Sequence, residues 1–197
     1  IVELLIPFFL AFEGRRPQAR ELVVLAVMCA LAVAGRVAIP IPSFKAIFGI
    51  IMIAGIAFGP ESGFLVGAIS ALASNFFYSQ GPYTPWQMMA YGAGGMLAGF
   101  VFAQGRLPRK PVIMGIFGFL AVTFFVGPLL DTCSVFLVMS RITLKGAMAF
   151  YISGFPVNLR QAVATAIVLL VLGKPLLEKL DRIKTKYGIL DDGGKEA

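Results

Sequence analysis

The sequence predicts an all-α membrane protein: a bundle of six transmembrane helices with a ligand site at the outer face, preceded by a partial N-terminal apolar segment. Three observations predict it. The chain is 58% hydrophobic and only 14% charged over 197 residues, with a mean hydropathy of +0.87, whereas a soluble domain carries about a quarter charged residues. Several apolar runs approach the ~20 residues needed to cross the hydrocarbon core. Backbone polar groups have to be satisfied internally in lipid, which makes these runs helices rather than open strands.

Residues 1–14 read as an extra segment, apolar over 1–12 but short, without the basic start and small-residue cleavage site of a signal peptide. A six-helix membrane domain then covers 15–175, with spans expected at about 21–38, 46–59, 62–78, 86–104, 111–130 and 154–173. The second is short, so it is either tilted or begins inside the preceding loop. Gly59-Pro60-Glu61-Ser62-Gly63 makes a very tight turn between spans two and three. After span six, residues 176–197 form a tail whose apolar spacing suits an amphipathic helix on the inner membrane surface, fraying from 188 onward.

The net charge of +7 does not indicate nucleic acid, because most of it flanks the spans. Arg15, Arg16 and Arg20, then Arg106, Arg109 and Lys110, then Lys174, Lys179, Arg182, Lys184 and Lys186 all fall on one side, which the positive-inside rule makes cytoplasmic. Lys45, Arg141, Lys145, Arg36 and Arg160 are left at the outer side. The outer connections are 39–45, stiffened by Pro40 and Pro42; 78–86, stiffened by Pro82 and Pro85; and a long one at about 131–153.

The loop Tyr78-Ser79-Gln80-Gly81-Pro82-Tyr83-Thr84-Pro85-Trp86-Gln87 combines rigidity, aromatic rings and amides, which is the chemistry of a lid over a ligand. The alternative is an aromatic belt at the interface. Asn75, Gln87, Asp131, Asn158 and Arg160 are the polar residues within or near the outer halves of the spans. Such residues face inward and need partners; helix-tying hydrogen bonds, an Asp131–Arg160 ion pair and ligand contact are all open. Ala26, Ala30 and Ala34 recur every four residues and make a shallow stripe that another helix can approach closely. It serves either packing inside the bundle or docking to a second membrane subunit. The stripes Gly63/Gly67 and Gly95/Gly99 are assigned to internal packing.

Enzyme classes find little support. There is no histidine, no Walker A sequence, no Gly-x-Ser-x-Gly elbow, no zinc motif and no cluster of carboxylates. No metal and no bound cofactor are expected. Cys29 and Cys133 suggest no disulfide framework.

The alanine stripe, the run Gly59-Pro60-Glu61-Ser62-Gly63-Phe64-Leu65-Val66-Gly67 and the six-span layout resemble the substrate-binding S component of energy-coupling factor (ECF) transporters, the vitamin importers of bacteria and archaea. The resemblance covers roughly 15–175. It implies a multi-pass protein of the bacterial cytoplasmic membrane that is not an enzyme. Its partners would be a transmembrane T component, two ATPase subunits, the lipid bilayer and a vitamin. The S component of that family binds its vitamin near the outer face under loops one, three and five, docks through the alanine stripe Ala26, Ala30 and Ala34, and topples to release its cargo. The implied substrate-binding residues are Pro42, Phe44, Lys45, Asn75, Tyr78, Gln80, Tyr83, Thr84, Trp86, Gln87, Asp131, Phe155, Asn158 and Arg160. The segment 74–88 is similar to the cobalamin subgroup, so cobalamin is the first expectation. A riboflavin, folate or queuosine-type S component is the alternative, and a small membrane enzyme or a scaffold protein the more distant one.

Overall fold

The computed structural model describes residues 6, 10, 13–14, 19–39 and 41–188. The expectations for most of the N-terminal segment, for Arg15, Arg16 and Pro40, and for residues 189–197 lie outside them. Among the described residues the chain is helical, without strands. The helices are α1 (Ala19–Val37), α2 (Ile47–Phe58), α3 (Pro60–Tyr78), α4 (Thr84–Ala98, extended by the π-helical turn Gly99–Ala103), α5 (Pro111–Val138, with a π-helical turn at Val122–Val126), α6 (Leu144–Val171) and α7 (Gly173–Tyr187). α5 and α6 are each long and apolar enough to cross a membrane, and α2 is apolar but shorter.

α2 is the axis of the bundle. It is hydrophobic on every side, and each of its residues is buried, as expected of a helix surrounded by others. Gly59, with φ of 96°, lets α2 pass into α3 through a single residue, and Pro60 supplies the fixed φ that suits a first helical position. A Cβ on Gly63 would lie 2.5 Å from the Gly95 carbonyl oxygen and 2.7 Å from Gly55 Cα. Helices α2, α3 and α4 therefore meet backbone to backbone, and the two glycine stripes serve internal packing.

α1 covers this core with Leu25, Met28, Cys29 and Ala32. Its opposite face exposes Leu22, Val23, Val27 and Leu31, and Ala26, Ala30 and Ala34 lie exposed among them. The alanine stripe thus points away from the bundle.

One expectation is corrected. The long outer loop at 131–153 is helix: α5 continues to Val138, α6 begins at Leu144, and residues 139–143 make the whole connection. The polar and small residues that suggested a loop line the seam of an α5–α6 hairpin. Thr132 Oγ1 and Tyr151 Oη are 2.7 Å apart, Gly154 abuts the Asp131 carboxylate, and Thr143 Oγ1 caps α6 by accepting from Gly146 N at 3.2 Å. Pro156 sits inside α6. α7, expected as a short amphipathic helix, is amphipathic. Its apolar side, Leu177 and Leu180, is buried against the bundle. Lys184 Nζ donates to the Ala57 carbonyl at 2.7 Å, and Asp181 pairs with Arg109 at 3.5 Å. The short α2 leaves its C-terminal carbonyls in need of partners, and α7 supplies one.

A candidate ligand cavity

At the end of the bundle where α1 stops and α4 starts, a polar chain joins three helices. Arg36, on the last turn of α1, donates through Nη1 to Ser74 Oγ and to Asn75 Oδ1, the latter at 2.8 Å. Asn75, buried on α3, donates onward to Thr84 Oγ1 at 3.1 Å and Gln87 Oε1 at 2.9 Å. Thr84 Oγ1 donates to Gln80 Oε1 at 2.9 Å, and Gln80 Nε2 donates to the Leu72 carbonyl at 3.0 Å. The guanidinium lies 4.9 Å from the centre of the Tyr78 ring and 5.6 Å from that of Tyr91, within cation–π range. Tyr78 Oη donates to the Arg36 carbonyl at 2.9 Å. A connected network of this kind fixes side-chain orientation because each break leaves a polar group without a partner.

This network forms one wall of a cavity of about 450 Å³. Arg36 comes from α1, and Gln87 and Tyr91 from α4, with Tyr83 just before it. Leu130, Asp131, Cys133, Ser134, Leu137 and Val138 come from α5, and Val157, Asn158 and Gln161 from α6. Asn158 is 5% exposed, and its Nδ2 donates to Asp131 Oδ2 at 2.7 Å. The pair is held from behind: a Cβ on Gly127 would lie 2.5 Å from Asn158 Cγ. The bare α5 backbone is what lets the amide fit between the helices. The result is a slot with aliphatic and tyrosine walls and a few placed amides, one carboxylate and one cation, the general composition of small-molecule sites.

Of the residues expected at a site, Tyr83, Gln87, Asp131 and Asn158 line this cavity. Asn75, Thr84, Gln80 and Tyr78 stand behind its wall, in the network that holds Arg36 and Gln87. Trp86 faces α5, donating to the Leu129 carbonyl at 2.6 Å with its ring 5.7 Å from Phe136. It positions the segment of α5 that carries Asp131. Lys45 turns back to the Ile39 carbonyl, and Pro42 and Phe44 lie in the α1–α2 connection, none of them among the cavity-lining residues. Phe155 and Arg160 point outward from α6, and among the described residues Arg160 Nε bonds only the Pro156 carbonyl of its own helix, at 3.2 Å. The anticipated Asp131–Arg160 ion pair is not formed; Asn158 is the partner of Asp131 because positions 158 and 160 lie on different faces of a continuous helix.

Arg36, Tyr91, Ser134 and Gln161 are cavity residues that sequence reasoning passed over. Spacing could have found most of them. Tyr83, Gln87 and Tyr91 are four apart, Asp131 and Ser134 are three apart, and so are Asn158 and Gln161, so each set shares one helical face.

A family model described as ECF-type riboflavin transporter, S component, matches residues 17–178. No curated protein and no solved structure matches the chain.

Proposed function

The chain belongs to the family of ECF-type riboflavin transporter S components, and from that premise we propose that riboflavin is the ligand of the cavity among α1, α4, α5 and α6. The protein is a membrane-embedded, substrate-binding subunit of an ECF transporter, not an enzyme. Such subunits work with a T component and ATPase modules.

The observation that carries the riboflavin reading is the size and lining of the cavity. About 450 Å³ lies in the range of small-molecule sites and suits a planar three-ring compound with a hydroxylated chain. Cobalamin has several times as many atoms. The aliphatic and tyrosine walls match the faces of an isoalloxazine ring. Gln87, Asn158, Gln161 and the Asp131 carboxylate offer donors and acceptors to its pyrimidine edge and to ribityl hydroxyls.

The mechanism follows from where the polar groups lie. In this reading α1 to α6 form the bundle embedded in the bilayer, α2 being held inside it, with the cavity end outside and α7 on the cytoplasmic side. The ligand enters between the α1–α2, α3–α4 and α5–α6 connections. Binding orders the rim without drawing on ATP, since the chain has no P-loop. The exposed stripe Ala26, Ala30 and Ala34 is the docking face for the T component, because side chains that small let a partner helix approach α1 closely. Reorientation of the bundle on that partner then carries the cavity toward the cytoplasm. The test is uptake into vesicles holding this chain with its T component and two ATPases. Riboflavin accumulation that requires internal ATP is expected. Accumulation of cobalamin or folate instead would keep the S-component role and replace the ligand.

A further inference from the structure

A second cavity lies on the flank of the molecule, away from the riboflavin site. It is a furrow of about 250 Å³ lined by Leu31 of α1, Ile50 of α2, Leu172, and Pro175, Leu176 and Lys179 of α7. Five of its six lining residues are apolar; the sixth, Lys179, is a cation. Lys179 has no hydrogen bond or ion pair among the described residues, whereas its neighbour Lys174 pairs with Glu178 at 3.9 Å. Leu31 is 42% exposed, so the furrow opens sideways. It lies about 18 Å along α1 from Ala19, counting 1.5 Å per residue, well above the charged cytoplasmic end. The furrow therefore lies between the apolar flank of α1 and α2 and the first half of α7, with one ammonium group, that of Lys179, in its lining.

In a membrane-embedded protein a lateral apolar furrow of this kind is filled by hydrocarbon. The lysine selects among lipids. The Lys179 ammonium, one turn before the exposed Arg182 on α7, attracts a phosphate that carries a net negative charge over a zwitterionic headgroup that is neutral overall. Lysine stems lie along apolar surface while the ammonium turns to the polar layer, and Lys179 is exposed. We propose that this furrow is a binding site for one anionic phospholipid, with an acyl chain against Leu31, Ile50 and Leu176 and its phosphate on Lys179. Leu31 borders the exposed alanine stripe, so the bound lipid lies at the edge of the face through which α1 would meet the T component.

The experiment is native mass spectrometry of the full chain, purified in detergent and incubated with phosphatidylglycerol or with phosphatidylcholine of the same acyl chains. One retained phosphatidylglycerol per chain is expected, at least fivefold above phosphatidylcholine. Lys179→Ala should remove that preference, and Leu31→Phe, which fills the furrow, should lower retention of both lipids. Riboflavin affinity, measured in parallel, should be unchanged in both variants and certifies that they are folded. Equal retention of the two lipids by the native chain, or a preference untouched by both substitutions, overturns the proposal. So does a complex with the T component that contains no phosphatidylglycerol and is lost on Leu31→Phe, since the furrow would then belong to the protein partner.

Discussion

Replacing Asn158 by leucine separates ligand chemistry from packing at the cavity. The side chain is 5% exposed and similar in size to leucine, so the space against Gly127 stays filled. What disappears is the 2.7 Å bond from Nδ2 to the Asp131 carboxylate and one donor–acceptor pair at the cavity wall. A hydrogen bond to a charged group is worth about 1.5–3 kcal/mol. Asp131 is only half-buried, and water can take over part of the lost bond, which favours the lower end for stability. For binding, the cavity loses the amide and the fixed position of the carboxylate together, so the riboflavin dissociation constant should rise roughly 10- to 100-fold, or about 1.4–2.8 kcal/mol. The assay is calorimetric titration of the detergent-solubilised variant, with thermal melting alongside. Phe155→Ala, on the outward face of the same helix, serves as the comparison and should leave affinity unchanged. Equal affinity in Asn158→Leu and the native chain, or a larger loss in Phe155→Ala, would refute the placement of the ligand.

Three further outcomes are expected. Ala30→Trp places a large ring on the exposed stripe of α1, so riboflavin binding should be retained while ATP-driven uptake in the reconstituted transporter falls at least tenfold; normal uptake would remove the docking role. Gly63→Ala sets a Cβ 2.5 Å from the Gly95 carbonyl oxygen, where only backbone could give way, so stability should fall by about 1–3 kcal/mol or more, read as a lower melting temperature. Trp86→Ala removes the bond to the Leu129 carbonyl and the contact with Phe136; melting should drop, and affinity should weaken less than in Asn158→Leu, because Trp86 holds α5 rather than the ligand.

Much of this architecture can be read from residue pattern alone. The turn at Gly59-Pro60 and the glycine stripes predict the tight α2–α3–α4 packing, because only glycine permits such approach and proline such an entry. The importance of Asn75, Gln87, Asp131 and Asn158 is legible too, since amides and carboxylates in apolar helices need partners. The α5–α6 hairpin is hidden in the sequence because Asp131, Thr132, Ser134 and Gly154 lower local hydropathy, and their mutual satisfaction across a seam is a tertiary fact. By sequence Arg36 reads as an outer topology charge. Its inward turn depends on Ser74, Asn75, Tyr78 and Tyr91, all far from it in sequence. Cobalamin rests on the likeness of segment 74–88 to one subgroup, whereas the family model that matches the chain is described as riboflavin-type. The exposure of the alanine stripe could not be foreseen, because a small-residue stripe suits an inner helix contact as well as an outer one.

The most direct test of the account is equilibrium titration of the folded, detergent-solubilised chain with riboflavin, followed by cobalamin. Saturable one-to-one binding of riboflavin, with no competition from cobalamin, is the predicted result. A folded protein that ignores riboflavin and binds cobalamin or another vitamin would contradict the assignment of the cavity.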